Sequence, residues 1–108
     1  MAWLYLIVAG VFEWGWPIGL KFAWTEQGVQ PLPLTLAIGS MVASGGLLLV
    51  AQQTIPVGTA YAVWTGIGAV GTFGLGIIFL GESTQLARFV CVGLIVVGII
   101  GLKFVSDA

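Results

Sequence analysis

Long apolar stretches alternate with short polar segments along the chain. Four stretches cover about residues 3–22, 33–51, 57–80 and 86–105. Each is close to the ~20 residues that a helix needs to cross ~30 Å of hydrocarbon. They lack the period-two alternation of a membrane barrel, and a backbone in lipid must satisfy its own hydrogen bonds. The pattern predicts an all-α membrane protein, with residues 1–108 forming a single four-helix transmembrane domain whose polar segments are loops.

Composition supports the membrane class and removes several functions. Charged residues are 6% of the chain and hydrophobic residues 59%, whereas soluble domains carry roughly 25% charged residues. The chain has no histidine, and its one cysteine, Cys91, lies in an apolar run. We therefore expect neither an enzyme nor a bound metal or cofactor. With three Lys and Arg residues in all, the chain also lacks the basic footprint of a nucleic-acid partner.

The few loop charges bear on topology. An even number of spans puts both termini on one side, with Lys103, and leaves Lys21 and Arg88 on the other. Positive-inside orientation requires a clear excess on one side. Two interpretations stay open: dual topology, which permits an antiparallel dimer, or too few charges for the rule to apply.

Because four short spans enclose little space, we expect a transport path to need a second copy.

Glu13 lies near the middle of the first span. Inserting an acidic residue at this depth costs roughly 2.5–3.5 kcal/mol, and Lys21 and Arg88 sit at span ends where they can snorkel. Glu13 must then be protonated, face a watery cavity, or bind an external cation. A cation/proton exchanger uses all three in turn. The alternative is a protonated carboxyl that only bonds one helix to another.

Helical spacing places three further residues on the face of Glu13: Gly10, Trp16 and Pro17. Gly10 is expected to leave open space beside the carboxylate. Trp16 can offer an indole N–H to it and a ring face to a cation. Pro17 cannot bond the carbonyl four residues earlier, that of Glu13, so we expect a kink and an extra acceptor. Plain packing by Trp16 and a proline without special meaning are the alternatives.

The second and third spans add polar and aromatic groups. Ser40 and Ser44 share a helical face, and either hydroxyl can donate to Glu13 or to its own backbone. Tyr61 and Trp64, three residues apart, form two polar-tipped aromatic walls.

Glycines mark two further places. Gly66 and Gly68 predict a hinge and a close-packing surface in the third span. Gly98 and Gly101 form a small-residue strip in the fourth span, which predicts either a dimer contact or generic packing.

These residues together resemble a known family. The central Glu13, the run Tyr61-Ala-Val-Trp64-Thr-Gly-Ile-Gly68 and the closing Gly98-Ile-Ile-Gly101-Leu-Lys103 resemble the small multidrug resistance family over essentially the whole chain. Within it, the block from Pro56 to Gly68 is similar to the guanidinium-exporter branch.

The resemblance implies an antiparallel, dual-topology homodimer in the lipid bilayer of the bacterial inner membrane. It implies proton-coupled export of a small guanidinium-type cation, with Glu13 of each subunit binding either a proton or substrate. The other positions carried over are Trp16, Ser44 and Trp64 as carboxylate-orienting residues, Tyr61 at the portal, Gly10 beside the carboxylate, and Gly66 and Gly68 as a bend. Guanidinium suits a carboxylate physically, since its planar N–H groups pair with two oxygens.

One segment departs from that branch. Guanidinium exporters typically read Glu-Val-Val-Trp-Ala-Ile, whereas this chain reads Glu13-Trp14-Gly15-Trp16-Pro17-Ile18. A quaternary-ammonium exporter of the same fold stays open, because such cations favour aromatic walls. A small ion channel and a non-transporting partner subunit are also open alternatives.

Overall fold

The computed structural model describes residues 1–105, and helices dominate it. The helices are α1 (Ala2–Phe12), α2 (Gly15–Ala23), α3 (Pro31–Ala51), α4 (Val57–Leu80) and α5 (Leu86–Val105). With α1 and α2 taken as one span, four segments are long and apolar enough to cross a membrane. The predicted four-helix, all-α membrane architecture is confirmed. The second span begins at Pro31 instead of residue 33, since prolines at a helix start forgo no hydrogen bond.

The first span is interrupted at Glu13 and Trp14. The Glu13 N–H donates to the carbonyls of Ala9 at 3.1 Å and Gly10 at 3.2 Å, and the Trp14 N–H donates to Val11 at 3.0 Å. The bonds to Gly10 and Val11 span three residues, which is typical of a tightened turn. Pro17, in the first turn of α2, has no N–H for the Glu13 carbonyl. The hydrogen-bond ladder therefore breaks beside the charged residue while the backbone stays in the right-handed helical region.

The first polar segment, expected to be a loop, is a small hairpin. Strands β1 (Trp24–Thr25) and β2 (Gly28–Val29) pair antiparallel. Gly28 has φ +104°, which favours glycine. The Thr25 hydroxyl donates to the Gly28 carbonyl at 3.1 Å and accepts from the Gln27 N–H at 3.2 Å. The connection is Glu26-Gln27, and a glycine with positive φ directly after a short turn, here Gly28, is a sequence signal for a hairpin.

Helix α1 packs between α3 and α4, α2 lies against α3, and α5 contacts α4. The buried cluster consists of Leu6, Ala51, Ile55, Ala60 and Val63. Helix α5 has no buried residue. A Cβ added at Gly98 or Gly101 would meet no described heavy atom within 4 Å, so neither glycine packs within the described chain. Their role at a dimer contact stays a prediction.

Helix α4 runs without interruption through Gly66 and Gly68. Both glycines are buried, and neighbouring side chains pack against them. A Cβ on Gly66 would overlap the Ile99 side chain of α5, and one on Gly68 would crowd Glu13. Both glycines therefore lie in close-packed contacts, and the hinge stays a prediction.

Candidate functional site

Glu13 is the buried charge of the described chain. Its side chain is 8% exposed at the junction of α1 and α2. Within residues 1–105, the ion pair present joins Arg88 to Glu82 at 3.8 Å and lies at the far end of α4. Residues 1–105 thus provide Glu13 with no cation. An ionised carboxylate in this position has no charge partner there, and an unpaired buried charge is costly.

One carboxylate oxygen is held in place by hydrogen bonds. The Trp16 indole N–H donates to Glu13 Oε1 at 2.6 Å. The Ser44 hydroxyl of α3 lies 3.3 Å from the same oxygen. Bonds to an ionised acceptor are short and strong, so Oε1 has a fixed direction relative to α2 and α3.

Ser44 joins Glu13 to two other elements. Its hydroxyl oxygen accepts the Trp64 indole N–H of α4 at 2.8 Å, and lies 2.7 Å from the Ala9 carbonyl. A hydroxyl has one proton to donate. It can donate to Ala9 or to an ionised Glu13. When Glu13 carries a proton, the carboxyl can instead donate to Ser44. Ser44 can therefore form a hydrogen bond with Glu13 in either protonation state.

The second oxygen, Oε2, is the open one. It accepts no hydrogen bond from the described residues. No buried side-chain polar atom among those residues lacks a partner, so Oε2 must be accessible. Glu13 borders a cavity of about 260 Å³. The other lining residues are Trp16, Pro17, Thr65, Gly68, Ala69 and Thr72.

Gly68, not Gly10, makes the space for the carboxylate. A Cβ on Gly68 would lie 2.9 Å from Glu13 Cβ and 3.7 Å from Oε2. A Cβ on Gly10 would lie 2.6 Å from Ile67 Cγ2. The expectation that Gly10 leaves open space beside Glu13 is wrong, because the close approach of α1 to α4 fills that space with Ile67.

Trp14, next to Glu13, is anchored on the same stretch of α4. Its indole N–H donates to the Ile67 carbonyl at 3.0 Å. Its ring covers Gly71 so closely that a Cβ there would overlap the indole. Adjacent residues at the helix break thus occupy two glycine positions, Gly68 and Gly71, three residues apart on α4.

The structure brings together Glu13, Trp16, Ser44 and Trp64, and separates other candidates from them. Tyr61 is 58% exposed and contacts the site through Trp64, with ring centroids 5.5 Å apart. Ser40 faces Gly15, whose added Cβ would lie 2.9 Å from Ser40 Cβ.

Two threonines of α4 belong to the site and were missed from the sequence. Thr65 and Thr72 line the Glu13 cavity together with Gly68. Their signal was available: positions 65, 68 and 72 lie on one helical face. Threonines in an apolar span are easily assigned to backbone bonding instead.

A larger apolar cavity of about 610 Å³ lies between α2 and α3, and Glu13 does not line it.

Residues 1–105 contain no group of three or more His, Cys, Asp or Glu side chains able to hold a metal ion. The site therefore offers a single carboxylate, indole N–H groups and hydroxyls. Groups of this kind can pair chemically with a proton or with a small organic cation.

Comparison with known proteins identifies similar chains. A sequence model described as Small Multidrug Resistance protein matches residues 1–95. A protein of Yersinia pseudotuberculosis serotype I (strain IP32953) named "Guanidinium exporter" is 54% identical over 106 residues, which cover 98% of this chain and 100% of the relative. Proteins of Citrobacter freundii and Salmonella typhimurium with the same name are 52% identical over 103 residues, covering 95% of this chain and 96% of each relative.

Proposed function

This chain belongs to the small multidrug resistance family, and from that premise we propose that it exports guanidinium or a small substituted guanidinium cation in exchange for protons. It is a multi-pass bacterial membrane transporter and not an enzyme. Relatives that cover nearly the whole chain are named guanidinium exporters, which supports the substrate class.

The observation that carries the proposal is the asymmetry of the Glu13 carboxylate. Oε1 is held by Trp16 at 2.6 Å, while Oε2 accepts no described hydrogen bond and Glu13 borders a cavity. A guanidinium cation can approach the open oxygen with an N–H edge, because planar N–H groups pair well with carboxylates. Its face can then lie against an indole ring. Trp16 lines the cavity, so it can serve both the carboxylate and the cation.

Coupling follows from one carboxylate and two competing cations. Glu13 has no cationic partner among residues 1–105, and leaving a buried carboxylate bare is unfavourable. A proton or a guanidinium cation each restores neutrality, and both need the same oxygen. Binding of one therefore releases the other, and the site changes its exposure mainly in a neutralised form.

We propose that two copies form the transport path as an antiparallel homodimer. In one copy, α5 has no buried residue and the strip of Gly98 and Gly101 is unpacked among the described residues. A second copy can cover this face through close small-residue packing. The nearly balanced distribution of Lys21, Arg88 and Lys103 supports insertion in both orientations. Each subunit then contributes one Glu13.

The substrate class is tested by transport currents from purified protein in proteoliposomes. Guanidinium, guanylurea and tetraethylammonium are applied in turn on a solid-supported membrane. The proposal predicts currents for the two compounds that carry N–H donors and little or none for tetraethylammonium. A response to tetraethylammonium alone would overturn the proposed substrate in favour of quaternary-ammonium export.

A further inference from the structure

We infer that the Thr72 hydroxyl is a second ligand of the cation bound at Glu13, accepting an N–H that the carboxylate does not reach. Thr72 is thereby a specificity-determining residue that favours cations with N–H donors over fully alkylated ones. This inference rests on the proposed function, because it names a further contact in the same site.

The first support is placement. Thr72 and Glu13 line the same cavity of about 260 Å³. Gly68 lies between them on the cavity wall, one helical turn before Thr72, and its missing side chain admits Glu13. Thr72 of α4 and Glu13 at the break in the first span thus line one small volume.

The second support is that the Thr72 hydroxyl is unengaged. Helical threonines commonly donate to a carbonyl one turn earlier. Thr65 does so to Tyr61 at 2.8 Å, and Thr35 to Pro31 at 2.8 Å. Thr72 makes no hydrogen bond with any residue of the described chain, although it is half-buried. Its oxygen keeps its acceptor capacity for a ligand in the cavity.

The third support is the chemistry of the cation. A guanidinium ion has N–H donors on every nitrogen, and a carboxylate engages one edge of it. Donors on the remaining edge must find acceptors, because an unpaired buried donor is unfavourable. A hydroxyl oxygen carries lone pairs for this purpose. A tetraalkylammonium ion has no N–H and gains nothing from Thr72.

The test compares guanidinium binding by wild type, Thr72→Val and Thr72→Ser in detergent, using isothermal titration calorimetry. Losing one hydrogen bond to a charged group corresponds to roughly a tenfold or greater increase in guanidinium Kd. We expect that increase in Thr72→Val and near wild-type affinity in Thr72→Ser. Thr35→Val, which removes an exposed hydroxyl bonded to its own helix, is the matched control and should bind normally.

A second readout separates ligation from structural damage. Proton binding at Glu13 is followed by tryptophan fluorescence across pH, since Trp16 contacts the carboxylate directly. Thr72 has no bond to Glu13, so Thr72→Val should leave this titration unchanged while guanidinium affinity falls. If valine prevents folding, Thr72→Ala replaces it, with the same expected loss.

The outcomes distinguish the two proposals. Wild-type guanidinium affinity retained in Thr72→Val or Thr72→Ala would overturn the role of Thr72 and leave the proposed function intact. Loss of affinity together with a shifted proton titration would also overturn it, because the residue would then act through Glu13. A wild-type protein that binds no guanidinium would overturn the proposed function itself.

Discussion

Gly68 of α4 lies directly against the Glu13 side chain, so that a Cβ added to it would stand 2.9 Å from Glu13 Cβ. The missing side chain on α4 is therefore what allows the carboxylate to turn toward its cavity. The position of the charge depends on a residue 55 positions away in the sequence (68 − 13), and on the packing of α1 against α4.

Gly68→Ala should displace the carboxylate. Inserting a methyl group into a filled site costs about 1–3 kcal/mol, so we expect the guanidinium KM to rise about tenfold, with the protein still inserted in the membrane. Gly74→Ala is the control. Gly74 is on the same helix as Gly68, and a Cβ added there would meet no described atom within 4 Å. Equal KM values for the two variants would contradict the role of Gly68.

Trp16→Phe should weaken substrate binding. The variant keeps an aromatic ring but removes the N–H that donates to Oε1 at 2.6 Å. A hydrogen bond to a charged group contributes about 1.5–3 kcal/mol. Because that bond fixes the direction of the carboxylate, its loss should raise the guanidinium Kd roughly tenfold or more. Isothermal titration calorimetry of the purified protein measures that Kd.

The control for that variant is Trp24→Phe, which alters a 77%-exposed tryptophan in the hairpin. Its guanidinium Kd should match that of wild type. A Trp16→Phe Kd equal to the wild-type value would show that the indole N–H does not contribute to the binding site.

Ser44→Ala should destabilise the folded protein as well as the site. Ser44 is fully buried and accepts the Trp64 N–H at 2.8 Å. Without it, the part-buried Trp64 N–H has no protein partner, which costs up to about 3 kcal/mol. Unfolding in mixed SDS and dodecylmaltoside micelles measures the loss. Ser40→Ala should unfold like wild type, and an equal effect of both substitutions would argue against the Ser44 network.

Gly71→Ala tests the packing of the Trp14 indole against α4. The added methyl overlaps the indole, which is also bonded to the Ile67 carbonyl at 3.0 Å. We expect a loss of about 1–3 kcal/mol in the same unfolding assay. In Trp14→Ala the clash is gone, so adding Gly71→Ala to that background should cost much less. Strict additivity of the two substitutions would contradict their contact.

Local spacing explains what the sequence could predict. The four spans follow from hydropathy and length, and the structure has them. Glu13 and Trp16 lie three residues apart, so helical geometry alone places them together, and their hydrogen bond is consistent with that spacing. The interruption beside Glu13 likewise depends on Pro17, four residues later.

Contacts between helices could not be predicted in the same way. Whether Gly10 or Gly68 lies beside Glu13 depends on the register of α1 against α4, which hydropathy does not encode. The choice between Ser40 and Ser44 depends on the rotation of α3, and the structure selects Ser44. Thr72 was overlooked because a threonine in an apolar span is easily assigned to backbone bonding until its neighbours across the cavity are known.

The most direct test of the account is proton movement driven by guanidinium in proteoliposomes that contain wild type, Glu13→Gln or Glu26→Gln, with a pH-sensitive dye inside. Glu26 is an exposed carboxylate in the hairpin turn and serves as the matched control. The account predicts that an outward guanidinium gradient drives protons inward in wild type and in Glu26→Gln. It predicts that Glu13→Gln abolishes this proton influx. Guanidinium-driven proton flux at the wild-type rate in Glu13→Gln would contradict it.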